Sequence, residues 1–456
     1  MSEDNSEKSL FKSKIGLIAA TVGSAVGLGT VWRFPAETAA NGGSAFLIVY
    51  IACVFLLGVP VMLSEFCLGR ASRSDAMGTF IKLSPHSAWW IVGACAVLVS
   101  FLINIFYMVV GGWTLEYLIN SISSDLFANP SNLGAEALFT TKMQQYVMSD
   151  TGPMFNTMFV VALNGIILLF GVQKGIERMA NIMMPLLFIL LAVFCGVSLT
   201  LDGAAEGLEY FLSPDFSKIT PMVCINALGQ ALFSLSLGMG ILITYASYYP
   251  SDTRLTRTSF SVSSLTLLVA LLMGLIIFPA VSSFGLLGHG DSGTTLVFVT
   301  MPEIFASMPF PQFWAIAFFL LLLMAAVTST VSIAEVSVAF LQKRFKMQRR
   351  RAVLAMSLPM LVLSAICSLS FSDLSWMTFF GKNMFDFLDT LTNNYILPLV
   401  ALGGVIYAGW FAPKGLLRDQ LSNNGCLHDS MTPVTIFVIR WFAPAAILLI
   451  FITNII

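Results

Sequence analysis

Residues 23–30 read Gly23-Ser24-Ala25-Val26-Gly27-Leu28-Gly29-Thr30, inside an otherwise apolar run from about 15 to 38. Each glycine costs about 1 kcal/mol relative to alanine in a helix interior, so three of them mid-span mark a departure from plain helix. Gly23 and Gly27 stand four apart, a spacing that also serves close packing of two membrane helices. A second stretch of the same character is Phe233-Ser234-Leu235-Ser236-Leu237-Gly238-Met239-Gly240. Two interrupted spans five helices apart predict inverted repeats with a binding site near the membrane midplane. A helix broken in lipid exposes amide N–H groups that attract a carboxylate and carbonyls that attract a cation.

The rest of the chain sets these stretches in a membrane. Of 456 residues, 57% are hydrophobic and only 10% are charged, against roughly 25% charged in a soluble domain. The mean hydropathy is +0.86. This composition excludes a soluble enzyme, a disordered chain, a nucleic-acid binder and a disulfide scaffold. Most of the seven cysteines sit in apolar runs, and His86, His289 and His428 are far apart in sequence, so no metal-ligand spacing appears. The first ten residues carry Glu3, Asp4 and Glu7 and do not read as a cleavable signal peptide.

A span needs about 20 apolar residues. Eleven candidates are expected, near 15–38, 44–69, 88–121, 154–171, 177–200, 221–248, 259–285, 312–342, 351–371, 384–410 and 433–456. The fold class is therefore an all-α polytopic membrane protein. With the N-terminus cytoplasmic, eighteen Lys and Arg fall on inner segments. Only Lys142, Lys218 and Lys382 fall on outer ones. The positive-inside rule selects that orientation and puts the C-terminus outside. The basic cluster Lys343–Arg351 reads as a topology and lipid-headgroup signal, with no nucleic-acid partner. Outer segments 122–153 and 201–220 are long enough for a cap, and Pro302–Ala306 for a short helix lying on top.

The eighth span holds Ala325-Ala326-Val327-Thr328-Ser329-Thr330. Adjacent hydroxyls in lipid commonly bond back to the preceding turn. Next to a carbonyl-rich break they also form a set of hard oxygen donors for a small cation. Intramembrane ionisable residues are functional candidates: Arg33, Glu37, Glu65, Glu116, Glu335 and Asp389. Arg33 follows the first break and Asp389 begins the tenth span, both toward the outer side, where a pair can close over a buried ligand.

The first-span motif, with Trp32-Arg33-Phe34-Pro35 and Asn41-Gly42-Gly43, resembles the neurotransmitter:sodium symporter family. Glu65 with Gly69-Arg70, Tyr107 with Trp113-Thr114-Leu115, Gln230 to Gly240, Thr244 to Tyr248, and Thr328-Ser329 extend the resemblance over nearly the whole chain. Eleven spans are similar to the family's bacterial amino-acid transporters, whose leucine-transporter fold joins two inverted five-helix repeats with broken helices 1 and 6. That implies an N-terminal tail (1–14), a first repeat (15–200), a second repeat (201–410), and a cytoplasmic loop with an eleventh helix (411–456). Gly175 and Pro185 resemble a fifth-helix pattern tied to inward opening.

The resemblance implies a substrate carboxylate at the N–H groups of Leu28 and Gly29 and at the Tyr107 hydroxyl. The amine would meet the carbonyls of Ala25, Phe233 and Ser234, with Ser236 nearby. Ile103, Phe233, Met239, Ser329 and Ile333 would line a pocket suited to a neutral, apolar or aromatic amino acid. One sodium ion would be held by the carbonyls of Gly23, Val26 and Ala325 and the hydroxyls of Thr328 and Ser329. A first sodium site would use Ala25, Thr30, Ser234 and Thr266, with hydroxyls where the family usually has amides. Position 270 is alanine, so neither candidate seventh-helix position supplies an acid, and chloride dependence stays open. Arg33 and Asp389 match the outer gate. The inner gate departs: Lys8 precedes the first helix, Lys343 occupies the family's aspartate position, and Phe11 replaces a tryptophan. Like charges cannot latch, so easier access to an inward-open state is expected.

The leading expectation is a sodium-coupled symporter working by alternating access. The same fold with proton or no ion coupling, through Glu37 and Glu335, is the alternative. A non-transporting amino-acid sensor is a third reading, with short tails to signal through. An intramembrane enzyme would need a nucleophile and base or a His-Glu-x-x-His pattern, which the chain lacks. The amino acid, stoichiometry and oligomeric state are not encoded legibly.

Overall fold

The computed structural model describes residues 11, 13–129, 133–285, 293–427 and 431–453. Lys8, Lys12, His289 and His428 lie outside them. Among the described residues the chain is helical, with one isolated bridge between Phe379 and Lys382.

Helices α1 (Lys14–Ala25) and α2 (Gly29–Ala40) meet at 55° across the glycine-rich stretch. Long helices follow: α3 (Ser44–Ser72), α4 (Trp90–Ile122), α5 (Gly152–Leu169) and α6 (Val172–Ser198). The second interrupted stretch divides α7 (Pro221–Ser234) from α8 (Ile241–Ser247). Beyond it come α9 (Leu255–Ser283), α10 (Gly293–Ala306), α11 (Pro311–Arg344), α12 (Arg349–Leu369), α13 (Met384–Phe411) and α14 (Thr432–Thr453). Among the described residues nine helices are each long and apolar enough to cross a membrane, and the bent α1–α2 pair makes a tenth. The expected sixth span corresponds to α7 and α8, each too short to cross alone. The expected limits agree elsewhere to within about five residues.

Local chemistry accounts for the boundaries. The Ser13 hydroxyl caps α1 by accepting from the Gly16 N–H at 2.8 Å. Thr220 caps α7 in the same way, with Pro221 in the first turn. The chain leaves α7 because Ser236, Gly238 and Gly240 take left-handed conformations, with φ of 55°, 76° and 69°. Glycine adopts these freely; Ser236 does so at a steric cost.

Helix α11 is the axle. In its most apolar window 78% of residues are buried, against 28% for α14. Its stretch from Ala325 to Ala339 is uniformly buried and rich in Ala, Ser and Thr. Small side chains let α1 and α4 approach closely. Large apolar residues on outer helices, such as Ile182, Ile189, Leu354 and Leu358, face outward at 56–61% exposure, as lipid contact requires. The sequence reading left four short helices unassigned: Ala76–Leu83, Ala135–Val147, Ala204–Leu212 and Leu416–Leu421.

Candidate functional site

The break after α1 strands the last four carbonyls of that helix. Val22 is satisfied by the Val26 N–H at 2.6 Å. Ser24 accepts two hydroxyls, Ser236 at 2.9 Å and Ser329 at 3.3 Å. Ala25 accepts the Thr30 hydroxyl at 2.9 Å. The Gly23 carbonyl is the member of the four for which no protein donor occurs among the described residues.

The Ser24 carbonyl thus joins the first break, the second break and α11. The contact is close because position 27 has no side chain. A Cβ on Gly27 would overlap the Ser329 Oγ and Cβ and reach the Ala325 carbonyl. A Cβ on Gly23 would touch Thr328 at 3.4 Å. Gly23 and Gly27 are therefore set against Ala325, Thr328 and Ser329 where α1 ends at α11. The Thr328 hydroxyl bonds back to Met324 at 3.0 Å and Ala325 at 3.1 Å.

On the other side of the break, Gly29 opens the wide turn that begins α2, and its missing side chain makes room for the Phe233 ring. Phe233 stands edge-on to Tyr107, with centroids 6.4 Å apart. Ile103, Tyr107, Phe233, Met239, Ser329 and Ile333 are all buried. Ser100 on α4 donates to the Met239 carbonyl, which ties the second break to α4.

Thr30, Ser234 and Thr266 are all buried. Thr30 is committed to the Ala25 carbonyl and Ser234 accepts from Gln230 at 2.9 Å. The Thr266 hydroxyl is buried and, among the described residues, has no hydrogen-bond partner. The side-chain amide of Gln230 also donates to the Gly29 carbonyl at 2.8 Å. Glu65 accepts from the Gly238 N–H at 2.7 Å, holding the second break to α3. The roles of Ser24 and Gln230 as ties between the breaks were not legible in sequence. The only signal was a polar residue in each apolar run.

Above Phe233 a polar cavity of about 230 Å3 is lined by Arg33, Glu37, Gln230, Asn393 and others. The Arg33 guanidinium lies 4.9 Å over the Phe233 ring and 3.4 Å from Glu37. Asp389 accepts from Asn393 at 2.7 Å. Among the described residues Arg33 and Asp389 form no ion pair within 4.0 Å in this conformation.

The opposite end is closed. Phe11 packs edge-on against Tyr245 and Tyr249 at 5.8 and 6.1 Å, and its N–H donates to Tyr248. Glu335 is bound bidentately by Arg349, at 2.7 and 3.1 Å, and accepts the Tyr248 hydroxyl at 3.0 Å. Lys343 is exposed. Lys8 lies outside the described residues, so the expected inner gate is not seen as a pair here.

A multi-pass helical membrane protein that gathers broken-helix backbone, hydroxyls and an aromatic wall at its centre, closed at one end, is built as a transporter. The sodium:neurotransmitter symporter family model matches residues 8–133 and 136–456. The chain belongs to that family and is a membrane transporter, not an enzyme. It is 35% identical to an uncharacterized sodium-dependent transporter of Bacillus subtilis (strain 168), over 97% of each chain. It is 34% identical to one of Methanocaldococcus jannaschii, over 91% of this chain and 84% of the relative. The crystal structure of MhsT in complex with L-phenylalanine matches with a TM-score of 0.88 and 39% identity, over 98% of this chain and 99% of that one.

Proposed function

We propose that the protein is a sodium-coupled symporter of neutral, apolar or aromatic amino acids that works by alternating access. The observation that carries this reading is the convergence on the Ser24 carbonyl of hydroxyls from the second break and from α11. Any ligand that displaces those hydroxyls acts on three elements at once. The substrate carboxylate meets the Leu28 and Gly29 amides and Tyr107. Its amine meets the carbonyls of Ala25, Phe233 and Ser234. Its side chain enters the wall of Ile103, Phe233, Met239, Ser329 and Ile333. The binding of L-phenylalanine by MhsT supports an apolar substrate of this size.

Sodium takes the free Gly23 carbonyl with Val26, Ala325, Thr328 and Ser329, tying α1 to α11 and so coupling the ion to closure. A second ion at Ala25, Thr30, Ser234 and Thr266 binds more weakly, since short hydroxyls replace longer amides. Helices α7 and α8 form one broken span, giving eleven: ten in two inverted repeats, 15–200 and 201–410, and the eleventh in 411–456, with the N-terminus cytoplasmic and the C-terminus outside. Arg33 and Asp389 close the outer gate as substrate is enclosed. Proton coupling is less favoured, because Glu335 is held by Arg349 and Glu37 by Arg33.

The test is uptake of labelled neutral amino acids into proteoliposomes under an inward sodium gradient, with potassium replacing sodium in the control. Uptake confined to sodium is expected. Equal uptake in both overturns the coupling.

A further inference from the structure

The first turns of α1 and α9 line a cavity of about 460 Å3. It lies at the end of the spans where Arg70 donates to the Thr253 carbonyl at 2.6 Å. Its walls are of two kinds. Ile15, Leu17 and Ile18 form an apolar side, and Ile15 is 78% exposed. Lys14, Arg254 and Arg257 form a cationic side. Among the described residues Arg254 and Arg257 make no ion pair. Among the same residues Lys14 has one ion pair, an open one with Asp252 at 3.6 Å.

Arg254 is also the N-cap of α9 and makes no side-chain capping bond there. The positive end of a 29-residue helix therefore adds to the three side-chain charges. Such a site asks for a ligand that is anionic at one end and apolar beside it.

We propose that this cavity binds an anionic phospholipid, its phosphate among Lys14, Arg254 and Arg257 and its acyl chain along Ile15 and Ile18. A free phosphate would use only the cationic half of the cavity. A phospholipid uses both, and every membrane-spanning protein meets one at the depth of its helix ends. The bound phosphate takes Lys14 from Asp252 and so ties the first residue of α1 to the start of α9.

The test is native mass spectrometry of the full chain in detergent, titrated with phosphatidylglycerol or with phosphatidylcholine of the same acyl chains. One tightly retained phosphatidylglycerol is expected, with phosphatidylcholine retained weakly. Arg254→Gln/Arg257→Gln should weaken phosphatidylglycerol retention by roughly tenfold or more and leave phosphatidylcholine unchanged. Asp252→Asn should tighten it, an effect that a misfolded variant cannot produce. Equal retention of phosphatidylglycerol by the double variant, or no gain in Asp252→Asn, overturns the proposal. So does displacement of the lipid by millimolar inorganic phosphate, which would mark a plain anion site.

Discussion

Replacing Arg349 with methionine should strand a buried carboxylate. Glu335 has no exposed side-chain surface, while Arg349 is 20% exposed. Removing one partner of a buried pair costs about 3–5 kcal/mol, because the other charge is left in a medium that solvates it poorly. Arg349 opens partly to solvent, so water can reach the vacated position and the low end applies, about 3 kcal/mol. The Tyr248 hydroxyl, 3.0 Å from Glu335, offsets only part of this.

Glu335→Gln should cost less, about 1–2 kcal/mol. Its guanidinium partner keeps a bond to the Leu168 carbonyl at 2.7 Å and can turn toward water. The double variant Glu335→Gln/Arg349→Met should cost little more than Glu335→Gln alone, leaving a coupling energy of roughly 2 kcal/mol or more. Equilibrium unfolding in mixed detergent micelles measures all four proteins. If the double variant loses the sum of the two single losses, the pair is not coupled and the reasoning fails.

Three other outcomes follow from the geometry. Tyr248→Phe removes the hydroxyl that joins α8 to Glu335. A hydrogen bond to a charged group is worth about 1.5–3 kcal/mol. Labelling of Ser247→Cys, in a background lacking the exposed Cys224 and Cys426, should therefore rise at least tenfold; unchanged labelling would mean that Phe11 and the tyrosines close this end without it. Thr328→Ala or Ser329→Ala should raise the sodium concentration for half-maximal uptake by tenfold or more, whereas an unaltered sodium dependence would remove α11 from the ion site. Gly29→Ala forces a methyl into the Phe233 ring, an overpacking cost of about 1–3 kcal/mol. Substrate binding should fall about tenfold or more while the protein still folds, and wild-type affinity would show that the ring moves freely.

Most of the architecture was legible because lipid imposes a simple rule. Each span must satisfy its own backbone, so long apolar runs read directly as helices and their limits come out within a few residues. The breaks were legible for the converse reason. Gly23 to Gly29 and Ser234 to Gly240 violate that rule, and in a membrane such a violation needs a use. Charge bias supplied an orientation, and the hydroxyl pair at Thr328 and Ser329 stood out against its apolar surroundings.

What the linear order could not contain is which groups are already spent. In sequence the Gly23 carbonyl reads no differently from that of Ser24. Only the packing of the second break and α11 shows that Ser24 is taken by Ser236 and Ser329 while, among the described residues, Gly23 has no protein donor. Glu335 read as a proton candidate with no partner identified. A residue fourteen positions on, across the turn between α11 and α12, holds it as half of an ion pair. The end opposite Arg33 is closed by Phe11, Tyr248 and Arg349, from three segments far apart in sequence. Periodicity and composition report what one segment needs from its solvent. Hydrogen bonds and ion pairs between segments depend on distances near 3 Å, which are set only when the helices pack.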